Sequence, residues 1–116
     1  MIPHAPAATT AGLVALLTMA VHGTAPAAGP ITIAVVIKDH VFTPAEIHVP
    51  TGVPVVLKIR NDDATAEEFD SSDLKTEKVI AAGYEGLVRL RPLGPGRYAF
   101  MGEFHPDTAR GVVISE

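Results

Sequence analysis

Apolar residues recur at every second position along Val55-Val56-Leu57-Lys58-Ile59-Arg60. An extended chain there turns Val55, Leu57 and Ile59 to one face and sets Lys58 and Arg60 on the other. Ile31 to Lys38 is β-branched and nearly continuous, and Glu46 to Val49 is a shorter run of the same kind. Further strands are expected over 66–71, 78–81, 86–91, 97–101 and 112–115. Turn chemistry separates them at Thr43-Pro44, Pro50-Thr51-Gly52, Asn61-Asp62-Asp63, Ala82-Gly83 and Gly94-Pro95-Gly96. Apart from a single helical turn expected at Ser71 to Leu74, no 3.6-residue period runs through the chain. Short strands spaced about 8–12 residues apart predict an all-β, antiparallel β-sandwich. Tyr98, just after the Gly94-Pro95-Gly96 turn, is assigned to folding as a tyrosine-corner residue.

The front of the chain follows a different pattern. Ala11 to Val21 is an apolar run too short to cross a bilayer, followed by Gly23-Thr24 and then Ala25-Pro26-Ala27, a small-x-small cleavage pattern. Residues 1–27 are therefore expected to be a cleaved secretory signal peptide and 28–116 the domain. The first ten residues hold no Lys or Arg, only His4, so a retained membrane anchor is the fallback. Removing 1–27 leaves His40, His48 and His105 as the histidines and Met101 as the methionine. It removes no Asp, Glu, Lys or Arg, and the net charge stays at −4, which argues against a nucleic-acid partner. The chain has no Cys, so the domain must close its core by packing alone.

Candidate chemistry collects in Tyr98-Ala99-Phe100-Met101-Gly102-Glu103-Phe104-His105-Pro106-Asp107-Thr108-Ala109-Arg110-Gly111. If that stretch is extended, Met101, Glu103 and His105 project to one side while Phe100 and Phe104 face the core. A thioether, a carboxylate and an imidazole together hold copper in either valence, and Fe(II) more weakly. Met101 reads equally as core filler, and Glu103 equally as the acceptor that holds the His105 ring. Asp107 is a candidate turn cap, and His48, opposite Ile47, is expected in solvent. Asp62, Asp63, Glu67, Glu68, Asp70 and Asp73 form an acidic run without a basic residue, suited to attracting cations or simply to solvation. No serine sits in a nucleophile motif with His and Asp partners, and no Gly-rich phosphate loop precedes a helix, so hydrolytic chemistry is not indicated.

The order Phe42-Thr43-Pro44-Ala45-Glu46-Ile47-His48-Val49-Pro50 through Asn61, then Glu67-Glu68-Phe69, then Leu93-Gly94-Pro95-Gly96-Arg97-Tyr98-Ala99-Phe100, the donor-bearing loop and Gly111-Val112-Val113-Ile114-Ser115 resembles the bacterial cupredoxins over the whole of 28–116. The resemblance implies a Greek-key β-sandwich with copper at one end. The family's first His position falls at Glu67, with Phe69 as its following aromatic; its Cys position falls at Gly102, its second His at His105 and its Met near Ala109. Without a thiolate, ordinary blue-copper electron transfer is not expected. The loop Gly102 to Ala109 and Glu68-Phe69-Asp70-Ser71 are more closely similar to a Cys-free subgroup that accompanies ferrous-iron uptake permeases. That resemblance implies a periplasmic copper protein taking part in one-electron oxidation of Fe(II), with components of the permease system as partners. The metal ligands expected on this basis are Glu67, Met101, Glu103 and His105, with Glu68, His40 and Asp70 as weaker candidates. A single mononuclear site cannot reduce oxygen to water, so a separate electron acceptor is needed. The other readings are a copper metallochaperone or metal-binding module without redox turnover, and a metal-free interaction domain.

Overall fold

The structure is a computed structural model that describes residues 1–23 and 29–116. Residues 1–23 are exposed and carry no helix or strand, and the expected cleavage pattern at Ala25 to Ala27 lies outside the described residues. Among the described residues no helix is long and apolar enough to cross a membrane.

Among the described residues nine strands follow: β1 (Ile31–Lys38), β2 (Val41–Thr43), β3 (Glu46–Val49), β4 (Val55–Asn61), β5 (Glu67–Ser71), β6 (Thr76–Ile80), β7 (Glu85–Leu90), β8 (Gly96–Gly102) and β9 (Arg110–Ser115). They form a four-stranded sheet, β2-β1-β4-β7, and a five-stranded sheet, β3-β9-β8-β5-β6. The inward faces supply the core: Val35 and Ile37 from β1, Val55, Leu57 and Ile59 from β4, and Val88 and Leu90 from β7 meet Phe69, Phe100 and Val113 from the other sheet. The alternation read along Val55 to Arg60 is thus the burial pattern of β4. The sandwich is not wholly antiparallel, because β1 pairs parallel with β4 and β3 parallel with β9. Strand spacing reports where strands lie. It carries no information on direction when the chain crosses between sheets, as it does from β2 into β3.

Three smaller expectations change. β2 had no counterpart in the sequence pattern, since it is only three residues long and pairs across a two-residue hairpin. The segment after Ser71 is a turn rather than a helical turn, closed by the Leu74 N–H donating to Ser71 Oγ at 2.9 Å and the Lys75 N–H donating to the Ser72 carbonyl at 3.2 Å. β6 begins earlier than expected, at Thr76. Tyr98 behaves as expected, its hydroxyl donating to the Gly94 carbonyl at 2.9 Å. His48 is exposed, as expected, and both its ring nitrogens meet carboxylates, Glu116 at 2.9 Å and Glu46 at 2.8 Å. Hydrogen bonds that the imidazole donates to Glu116 first and Glu46 second raise its pKa above the usual imidazole value.

Candidate metal centre

Three segments meet at one end of the sandwich: the β1–β2 hairpin, the start of β5, and the loop between β8 and β9. The hairpin has only Asp39 and His40 between its paired ends, and both take positive φ, 53° and 57°. A two-residue hairpin of matching twist demands this backbone, which costs a side-chain-bearing residue about 1–2 kcal/mol. The turn is held from below. Asn61, fully buried at the end of β4, donates its amide to the Thr65 carbonyl at 2.9 Å and the Ile80 carbonyl at 3.0 Å, and its Oδ1 accepts from the Asp63 N–H at 3.0 Å. Asp63 in turn accepts the Asp39 N–H at 2.7 Å and the His40 N–H at 3.0 Å.

The His40 N–H is the main cause of a lowered Asp63 pKa; burial opposes it and the Asp39 N–H adds to it. A depressed folded-state pKa means the stabilisation is present above the unfolded aspartate value of about 3.9 and is lost as pH falls through the lower folded value. Unfolding midpoints measured from pH 5 downward are therefore expected to fall in that window for the native chain. Asp63→Ala should start lower at neutral pH and show a flatter acid limb; an unchanged limb would show that the turn does not depend on this carboxylate.

Glu67 opens β5 with its side chain turned inward, 1% exposed. Every polar contact of this buried carboxylate is made. Oε1 accepts the N–H groups of Phe104 at 3.0 Å and Glu68 at 3.1 Å, and Oε2 lies 2.5 Å from Nδ1 of His105. A contact that short requires a proton on one of the two atoms. The two backbone N–H groups donating to Oε1 favour the ionised carboxylate, which can only accept; against it a neutral imidazole carries its hydrogen on Nδ1 and keeps the Nε2 lone pair free. The loop carrying His105 is a closed series of turns: Gly102 N–H to the Ala109 carbonyl at 2.8 Å, His105 N–H to the Gly102 carbonyl at 3.1 Å, and Ala109 N–H to the His105 carbonyl at 2.9 Å. The His40 ring lies flat on the His105 ring, centroids 3.5 Å apart and planes within 9°.

The structure divides the expected ligands between two places. Glu67, His105 and His40 come together. Met101, Glu68 and Asp70 have the opposite parity in β8 and β5 and point away from the core, with Met101 and Asp70 directly paired across the strands. Glu103 turns to Glu68: its N–H donates to the Glu68 carbonyl at 2.9 Å, and burial first, then the Glu103 carboxyl, raise the Glu68 pKa. The two-residue spacing of Met101, Glu103 and His105 does not bring them to one side, because β8 ends at Gly102 and the chain then turns; Phe104 is 49% exposed instead of facing the core. The role of holding the His105 ring, weighed for Glu103, belongs to Glu67. Among the described residues no three His, Asp or Glu side chains already enclose one point. Parallel rings direct their in-plane lone pairs into separate planes, so gripping one ion takes a swing of one ring out of the stack.

The acidic run is similarly divided. Asp62 accepts from Arg60 Nε at 2.5 Å, Asp63 holds the hairpin, Glu67 holds the loop, and Asp73 accepts the Ala99 N–H at 3.1 Å where β5 no longer pairs with β8. Asp63 as the support of His40 is the role that sequence reasoning did not assign. The available signal was the two-residue Asp39-His40 break between β-branched runs, a hairpin signature whose strained turn needs an acceptor.

A two-sheet Greek-key sandwich bearing an imidazole loop at one end is the architecture of cupredoxins, and the sequence matches the family model described as a cupredoxin-like domain over residues 10–115. The chain belongs to that family. It is 44% identical over 80 residues to the uncharacterised protein RP394 of Rickettsia prowazekii (strain Madrid E), a match spanning 69% of this chain and 64% of that protein's length. Its fold is similar to the metal-binding domain of the Cu(I)-exporting P-type ATPase CopA of Streptococcus pneumoniae D39, with a TM-score of 0.65 at 17% identity over 73% of this chain and 84% of that one. It is also similar to auracyanin A, a blue copper protein of Chloroflexus aurantiacus, with a TM-score of 0.65 at 15% identity over 76% of this chain and all of that one.

Proposed function

We propose that this chain binds copper at the hairpin end of the sandwich through His105 and His40, with Glu67 as the carboxylate that orients His105, and that it takes part in one-electron oxidation of Fe(II) in the periplasm ahead of an iron permease. The observation that carries the reading is the buried Glu67–His105 pair capped by a second imidazole. The donor chemistry fits the metal. Imidazole nitrogens suit copper, a carboxylate behind the ligating ring is the usual support for a metal-bound histidine, and the lack of any thiolate predicts a site without the blue colour.

Copper bound there would supply a one-electron couple, taking an electron from Fe(II) to leave Fe(III), with a separate acceptor restoring Cu(II). Glu67 keeps the hydrogen of His105 on Nδ1 and Nε2 open, and Asp63 fixes the backbone from which His40 reaches over. The iron half of the reading, with the periplasmic location and the permease partners, is supported by the likeness of Gly102 to Ala109 and Glu68 to Ser71 to the Cys-free subgroup. The weaker hold on iron of such a donor set makes Fe(II) the substrate and copper the resident ion.

Titration of the chain with Cu(II), followed by electron paramagnetic resonance, tests both halves. One equivalent should bind with nitrogen couplings from both imidazoles. His105→Ala should lose about 100-fold or more in affinity, beyond what loss of an outer support costs, and His40→Ala should lose one nitrogen coupling. Added Fe(II) should bleach the signal. Binding no tighter than that of the unfolded chain would refute the copper assignment; a signal that Fe(II) leaves intact would refute the redox half and place the chain among copper-holding modules.

A further inference from the structure

Gly102 closes β8 at the foot of the His105 loop, with its Cα directly opposite Phe69 of β5. A Cβ built on it would stand 2.6 Å from Cδ and 2.7 Å from Oε1 of Glu67, and 2.7 Å from Cβ of Ala109. Real Cβ atoms do not approach other carbons so closely, so something would have to move. Gly102 has no left-handed backbone requirement. Its lack of a side chain is therefore explained by the neighbouring Glu67 carboxylate and Ala109 methyl and not by its conformation. The carboxylate has little room to retreat, because it is buried and tied to Phe104 N–H, Glu68 N–H and His105 Nδ1.

We infer that Gly102 and Glu67 form one mutually exclusive pair in which the space of a side chain at 102 is filled by the Glu67 carboxylate, making Gly102 the positioning residue that lets this carboxylate stand behind His105 and fix its tautomer. With glycine at 102, Glu67 sits behind His105 and the end presents imidazole nitrogens. With any side chain at 102, a thiol included, the carboxylate is displaced and His105 loses its fixed tautomer. The inference rests on the site proposed above, but its test needs no metal, so failure of copper binding and failure of the pairing are read separately.

The experiment is a four-member set of the metal-free chain: native, Gly102→Ala, Glu67→Ala and the double variant. Two readouts apply, the thermal midpoint and the far-downfield proton resonance of His105 Nδ1–H. Gly102→Ala should lose the resonance and melt lower. The double variant should melt higher than the sum of the single losses predicts, because the added methyl enters the space the carboxylate has left. If Gly102→Ala does not fold, recovery of a cooperative transition in the double variant makes the same point. Retention of the resonance in Gly102→Ala would overturn the pairing. So would the absence of rescue, whether the losses simply add or both variants stay unfolded, since the tight contact would then belong to Ala109 alone.

Discussion

Glu67→Ala is expected to detach the His105 loop and to weaken copper binding and folding together. The substitution leaves the Phe104 and Glu68 N–H groups without their acceptor and the His105 Nδ1–H without its partner, around a side-chain position that is itself 1% exposed. Each orphaned buried donor costs about 1–3 kcal/mol, and bonds to a charged group lie at the upper end, so a loss of about 4 kcal/mol is expected. Loss of the carboxylate behind a ligating imidazole adds a fall of about 10–100-fold in metal affinity. Glu67→Gln separates the two effects. Its amide oxygen can still accept both backbone N–H groups, so the fold should be largely kept. The amide group now facing His105 is a donor, which forces the ring to accept at Nδ1 and to carry its hydrogen on Nε2, the nitrogen needed for copper. Denaturant unfolding and Cu(II) titration of the two variants side by side check this. Native-like copper affinity in Glu67→Gln would exclude tautomer control as the role of this carboxylate.

Much of the framework was legible in the sequence because β-strands declare themselves by alternation. Parity within β5 settles which of the paired glutamates turns inward: Glu67 shares a face with Phe69 and Ser71, all buried, while Glu68 and Asp70 face out. The same argument misled in the 98–111 stretch. Parity holds only while the chain is extended, and Gly102, the turn-forming Pro106 and the Ala109 carbonyl fold the next residues back on themselves. His40 was underweighted for another reason. Its approach to His105 depends on the strained Asp39-His40 turn and on Asp63, a residue 23 positions away whose carboxylate looks, in sequence, like one more member of a solvated acidic run. Long-range hydrogen bonds to backbone groups leave no periodic trace.

The second large effect is expected at Phe69, which ties the site to the core. Phe69 is fully buried two residues after Glu67 on the same face of β5, stacked on Phe100 with centroids 4.9 Å apart and edge-on to Phe42 at 6.0 Å; Phe42 and Phe100 also meet edge-on at 5.1 Å. The three rings come from β2, β5 and β8, so they join the hairpin bearing His40 to the strands bearing Glu67 and Gly102. Truncation to alanine removes the transfer free energy of the ring, leaves a cavity the two sheets cannot close, and forfeits the ring pairs, about 3–5 kcal/mol in all. A domain without a disulfide has only about 5–15 kcal/mol in total, and each kcal/mol moves the midpoint of a chain this size by about 4–8 °C. Phe69→Ala should therefore melt about 12–40 °C below the native chain. It should also lose the fixed His105 Nδ1–H resonance well before global unfolding, because Phe69 lies on the same face of β5 as Glu67 and pairs directly with Gly102 at the foot of the His105 loop. Phe69→Leu, which keeps most of the volume, should cost about 1–2 kcal/mol and keep the resonance. A Phe69→Ala loss no larger than that of Phe69→Leu would mean that the rings close over the gap and that the core and the metal end are not a single cooperative unit.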